Sequence, residues 1–82
     1  MADISALLGN IISSTNKVKI LEILRRKNAS PEYIAKHIRI PQKVAEELIE
    51  ELEADGLLSI VEGSCHITEL GVEVHNQLKG IR

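Results

Sequence analysis

The amino-acid sequence predicts a mainly α-helical domain carrying one small β-hairpin. Three observations lead there. Between Ser30 and Leu58, two apolar stripes at helical spacing are split by the short break Arg39-Ile40-Pro41. Past Gly56 the apolar period shortens to that of a strand, with Leu58 and Ile60 alternating ahead of Glu62-Gly63. Helical stripes also precede Ser30 and follow Thr68. Eighty-two residues make one domain at most. The reading is therefore a single domain over 1–82, with an N-terminal helix at 3–13, a core at 14–68 and a C-terminal helix at 69–80.

Residues 3–13 form an amphipathic helix in this reading. Asp3 is its N-cap, and Ile4, Leu7, Leu8, Ile11 and Ile12 share one face. Ser13 to Asn16 is a polar break rich in N-cap residues. Lys17 to Lys27 follows as the first core helix. Val18, Ile20, Leu21, Ile23 and Leu24 give it the wide apolar surface of a helix that others pack around. Its basic end suits the negative pole of the helix dipole. Arg25, Arg26 and Lys27 could touch phosphates, although solvated charges are the plainer account.

Ser30 caps the next helix and Pro31 takes its first position, where the missing N–H costs nothing. Ile34, Ala35 and Ile38 fall on one face. Pro41 opens a longer helix whose Val44, Ala45, Leu48, Ile49 and Leu52 form one stripe, and Gly56 can close it in a left-handed C-cap. A short helix, a tight turn and a longer helix make a helix-turn-helix. A plain helical hairpin is disfavoured because Ala35 is small enough to let a neighbouring helix cross closely. Leu58 to Glu62 then reads as a strand with Leu58 and Ile60 inward, Glu62 to Cys65 as a tight turn, and His66 to Thr68 as the return strand with Ile67 inward. That leaves Cys65 at the hairpin tip beside a surface His66. Thr68 caps a last helix in which Leu70, Val74 and Leu78 line up, Val72 points elsewhere, and Gly80 ends the run.

These residues carry a resemblance. Ile34-Ala35, Ile40, Leu52-Glu53, Gly56-Leu57-Leu58 and Ile67-Thr68-Glu69-Leu70-Gly71 resemble the pattern of winged helix-turn-helix regulators of the arsenic-repressor and multiple-antibiotic-resistance type, and of small archaeal winged-helix proteins. The resemblance covers roughly residues 14 to 80. It implies a winged helix-turn-helix with an extra N-terminal and a C-terminal helix, DNA as partner, and terminal helices used for dimerisation. Those families often carry Gly where Arg39 stands. If the backbone there is left-handed, Arg39 is strained; a different turn would avoid that, and the residues leave both open. The thiolate pairs of the metal-sensing relatives are absent, so that function is not carried over.

Composition bounds the rest. The 44% hydrophobic content suits a globular domain, and twelve isoleucines against one aromatic, Tyr33, mean an aliphatic core. One cysteine forms no internal disulfide, no signal peptide is evident and no apolar run approaches membrane-spanning length, so a cytoplasmic protein is expected. The start at Met1 without a tag reads as a complete small protein. Net charge is −2, but it is segregated. From Asn16 to Lys43, eight Lys or Arg stand against two Glu, a balance of +6; from Val44 to Gly63, seven acidic residues have no Lys or Arg among them, a balance of −7.

No glycine-rich phosphate loop or paired-carboxylate site is present, and His37, His66 and His75 lack ligand spacing, so no catalytic residue, metal or cofactor is expected. The reader of a major groove would be the second helix of the motif. Gln42 can pair with adenine and Lys43 can reach guanine, whereas Glu46, Glu47, Glu50, Glu51 and Glu53 oppose phosphates. The expected DNA-binding set is therefore Lys36, His37, Arg39, Gln42 and Lys43. The expected homodimer interface is Ile4, Leu7, Leu8, Ile11 and Ile12 with Val74 and Leu78, because a domain this small does not bury so much apolar surface alone. Two functions follow: a transcriptional regulator binding duplex DNA as a homodimer, or a winged helix used as a protein-interaction module through its acidic helix. The acidic face at 46–53 separates them.

Overall fold

The computed structural model describes residues 14–80, with side chains through Leu78. The order is α1 (Thr15–Arg26), α2 (Pro31–Ile38), α3 (Gln42–Ala54), β1 (Leu58–Val61), β2 (Ser64–Ile67) and α4 (Glu69–Gly80). The helix expected at 3–13, with Asp3 as its cap and Ile4, Leu7, Leu8, Ile11 and Ile12 on its apolar face, lies outside the described residues.

Local chemistry sets the helix ends. Ser14 Oγ accepts from the Lys17 N–H at 3.3 Å and Ser30 Oγ from the Tyr33 N–H at 3.2 Å, each satisfying one orphan donor. Helix α3 starts behind Pro41 with no side-chain cap. At its far end Leu57 N–H donates to Leu52 O and Gly56 N–H to Glu53 O, both at 2.9 Å, with Gly56 at φ 79. This pair of hydrogen bonds is a Schellman motif, and glycine adopts its left-handed position without a steric penalty. Helix α2 ends on the same plan: Ile40 N–H donates to Ala35 O at 3.0 Å, and Arg39 sits left-handed at φ 59, ψ 50. Of the two turns left open by the sequence, the strained one is present.

Helix α1 is the hub, packing against α2, α3, α4 and β2. Ile20 and Leu21 on it meet Ile34, Ile49, Leu52, Leu57, Leu58 and Val74, all of them at most 2% exposed. Each such aliphatic contributes about 1.5–3 kcal/mol by leaving water.

The wing differs from expectation in three ways. Its turn is the two residues Glu62 and Gly63, at φ 51 and φ 80, as a type I′ hairpin requires. The return strand therefore begins at Ser64, not His66, with Ile60 facing Cys65 and Val61 facing Ser64. Cys65 is accordingly not at the tip. It is fully buried and pairs with Ala29 on the α1–α2 link, through Cys65 N–H to Ala29 O (2.7 Å) and Ala29 N–H to Cys65 O (3.2 Å). Ile60, expected inward, is 41% exposed. With Ala29 flanking β2, β1 is the outermost rung, and toward the tip it leaves the core behind. Ile67 is half-buried.

Thr68 joins the wing to α4. Its hydroxyl donates to Gly56 O at 2.6 Å and accepts from Gly71 N–H at 3.1 Å. Gly71 is there because α4 starts against the backbone of Leu57: a Cβ would overlap the Leu57 carbonyl oxygen and come within 2.7 Å of Ile67 Cγ1.

Candidate nucleic-acid interface

The five side chains expected to meet DNA are all exposed. Lys36 and His37 leave the last turn of α2, Arg39 stands in the left-handed turn, and Gln42 and Lys43 open α3. Lys36, Arg39 and Lys43 have no ion pair or side-chain hydrogen bond among the described residues. The start of α3 adds the positive pole of its dipole, undiminished by any side-chain cap. Gln42 is less free. Its Nε2 donates to Glu46 Oε2 at 3.0 Å, an i, i+4 pair that a base must displace.

Beyond the first turn α3 turns acidic. Glu46, Glu47, Glu50 and Glu53 are exposed. Glu51 is exposed as well, but its Oε1 meets Lys17 Nζ of α1 at 2.9 Å. A polyanion on α3 is thus confined to its N-terminal end. The wing supplies no Lys or Arg, and its tip carries Glu62.

The basic end of α1 is sorted by packing. Arg25 neither awaits a phosphate nor floats in solvent: its Nη1 donates to Val72 O at 3.3 Å and Asn76 Oδ1 at 3.0 Å, tying α1 to α4. Arg26 and Lys27 turn the other way. With Lys19, Tyr33, His37 and Arg39 they line an open depression of about 590 Å³ that also includes Ile23 and Ile38, with Glu22 as its one carboxylate among the described residues. Lys27 Nζ lies 4.2 Å from the Tyr33 ring centre, a cation–π contact. The Tyr33 and His37 rings stack with centroids 5.6 Å apart. The expected set therefore divides. His37 and Arg39 face the depression, while Lys36, Gln42 and Lys43 do not line it. Lys19 is the member that sequence reasoning missed. Its spacing was the available signal: Lys19, Ile23 and Arg26 stand at i, i+4 and i+7 on one helical face.

The remaining candidates fall elsewhere. Val74, expected at a dimer interface, is fully buried in the core of its own chain and offers no surface to a second copy, while Leu78 is half-buried. Burial, and secondarily the charge of Glu53, push the Cys65 thiol above its usual value of 9.0, so it stays protonated. Among the described residues no three His, Cys, Asp or Glu side chains gather as metal ligands, and no helix is long and apolar enough to cross a membrane.

No protein-family model and no curated protein matches the chain. Solved structures do. The adhesin competence repressor AdcR of Streptococcus pyogenes superposes with a TM-score of 0.72 at 16% identity, over 98% of this chain and 73% of that one. PigF, solved with SAH, superposes with a TM-score of 0.59 at 22% identity, over 84% of this chain but 23% of that one. At these identities the likeness is one of fold. Helix-turn-helix, two-stranded wing and closing helix, in that order and superposing on AdcR, make this chain a winged helix.

Proposed function

We propose that this protein is a transcriptional regulator that binds duplex DNA through the turn and first turn of its recognition helix. The observation that carries this reading is the set of exposed cations Lys36, Arg39 and Lys43, without an ion pair among the described residues, around the uncapped start of α3. Phosphate neutralisation by such cations supplies most sequence-independent affinity. The likeness to a protein named as a repressor supports it. Gln42 is the candidate base reader, released from Glu46 on binding. The protein acts in the cytoplasm, needs no cofactor, and works as a homodimer through Ile4, Leu7, Leu8, Ile11 and Ile12 together with Leu78. Two copies of the cation cluster then meet a palindromic site.

Fluorescence anisotropy against random duplex DNA at two salt concentrations tests this. Salt-sensitive binding is expected, weakened by Lys43→Ala and strengthened by Glu46→Gln with Glu47→Gln, because these remove repulsion beside the phosphates. Leu8→Glu should turn a dimer into a monomer by light scattering; a parent that is already monomeric sinks the dimer. The second reading, a protein-interaction module, draws on the exposed carboxylates of α3 and on the same fold occurring as a fraction of the longer PigF chain. No duplex binding at low salt, with capture of a basic partner lost in Glu46→Gln and Glu50→Gln, would replace the first reading by the second.

A further inference from the structure

The cations of α1 have two fates. Lys17 is committed to Glu51 and Arg25 to α4. Among the described residues the Lys19 and Arg26 side chains make no ion pair or hydrogen bond, and the Lys27 side chain makes only its aromatic contact. All three open into one depression with Arg39, against the single carboxylate of Glu22. Four Lys and Arg side chains against one carboxylate among the described residues, on a concave surface, attract and focus a polyanion. The depression is a poor stacking platform for a base, since Lys27 and His37 already lie against the Tyr33 ring. It reads charge, and charge that is repeated.

Its position points to the source of that charge. Arg39 belongs both to the depression and to the helix-turn-helix turn, His37 precedes it in the last turn of α2, and Gln42 begins the recognition helix only three residues past Arg39. A strand meeting the start of α3 has two ways to continue. Along α3 it meets Glu46, Glu47, Glu50 and Glu53, and the wing offers it Glu62 and no cation. Past Arg39 it meets Arg26, Lys27 and Lys19.

We propose that the depression between α1 and α2 seats the phosphate backbone of the bound duplex, so that Lys19, Arg26 and Lys27 supply the grip a basic wing would otherwise supply. The inference rests on the DNA reading and adds to it an orientation: the duplex lies across the α1 side of the turn and leaves the wing, which has no cation to offer, uninvolved. These contacts are to phosphate, so they position the duplex without selecting sequence.

The test is the salt dependence of duplex binding by the full chain. Removing one phosphate-bound cation flattens the log–log slope by about 0.9. The combined variant Lys19→Gln, Arg26→Gln, Lys27→Gln should lower it by about 2.7, equivalent to roughly a 40-fold smaller loss of affinity across a fourfold rise in salt. Arg25→Gln and Glu62→Gln should leave the slope unchanged. Far-ultraviolet circular dichroism and melting confirm that each variant folds, and the three single variants, each expected to cost about 0.9, replace the triple if it does not. A parent that binds duplex with a slope the folded variants do not alter overturns the depression as a phosphate seat and leaves the DNA reading standing. Binding strengthened by Glu62→Gln, as it would be if the wing tip lay beside phosphates, overturns the orientation. A parent that binds no duplex, while the depression variants abolish capture of an acidic protein, overturns both readings.

Discussion

Replacing Gly71 by alanine tests the close approach of α4 to the Leu57 backbone, and the two relevant effects have opposite sign. Gly71 lies in the first turn of α4, where alanine is intrinsically favoured over glycine by about 1 kcal/mol. The new Cβ would overlap the Leu57 carbonyl oxygen and crowd Ile67 Cγ1 at 2.7 Å. Leu57 has little room to yield. Its carbonyl accepts from Thr68 N–H at 3.1 Å, its N–H donates to Leu52 O at 2.9 Å, and its side chain is fully buried. Overpacking costs about 1–3 kcal/mol when side chains can adjust; with main chain on both sides the upper end applies. The net loss is then about 2 kcal/mol, or a melting point about 8–16 °C lower for a domain of this size. Thermal melting by circular dichroism reads it. Gly63→Ala is the comparison: nothing lies within 4 Å of its Cβ, and its cost, about 1–2 kcal/mol, comes only from the left-handed backbone at φ 80. A Gly71→Ala protein that melts at or above the parent would show that α4 is not pressed against Leu57.

Arg39 joins a strained backbone to a functional charge, and two substitutions separate them. Arg39→Gly relieves about 1–2 kcal/mol of left-handed strain, offset by about 0.4–1 kcal/mol of unfolded-chain entropy, so it should melt higher than Arg39→Ala, which keeps the strain. Both remove the same cation and should flatten the salt slope of DNA binding equally, by about 0.9. The Cys65 thiol has a folded pKa raised above the unfolded value near 9.0. Its stabilising contribution is complete below that value and is lost as pH rises from there through the higher folded value. Urea titrations at increasing alkaline pH should therefore show falling stability that Cys65→Ala reduces, and native protein should react with iodoacetamide far more slowly than unfolded protein.

Features written in single residues with local consequences were legible in the sequence. Ser30-Pro31 starts α2, Gly56 ends α3, and Thr68 caps α4, because each acts on a backbone group within a few positions. Burial in the wing was not legible. Alternation put Leu58 and Ile60 on one face, as it should, but it says nothing of where that face runs out of core. The contact that decides this, Ala29 with Cys65, joins distant segments without a side-chain signature. The site was half legible for the same reason. Lys36, Arg39, Gln42 and Lys43 are close in sequence and were read together. The depression needs α1 laid beside α2, and the fates of Arg25 and Arg26, adjacent in sequence, are decided by which side of α1 faces α4.

The bridge between Ala29 and Cys65 also governs how the molecule can open. A ribbon of two four-residue strands is barely stable by itself, so the hairpin must wait in folding for the α1–α2 link to arrive. Ala29 immediately precedes Ser30, the N-cap of α2. Detaching the ribbon is therefore expected to fray the start of α2. In hydrogen exchange the Cys65 and Ala29 amides should be the slowest of the ribbon and should exchange in step with the first turn of α2. Exchange in step would make the hairpin a latch on the helix-turn-helix, a role that needs no contact with DNA.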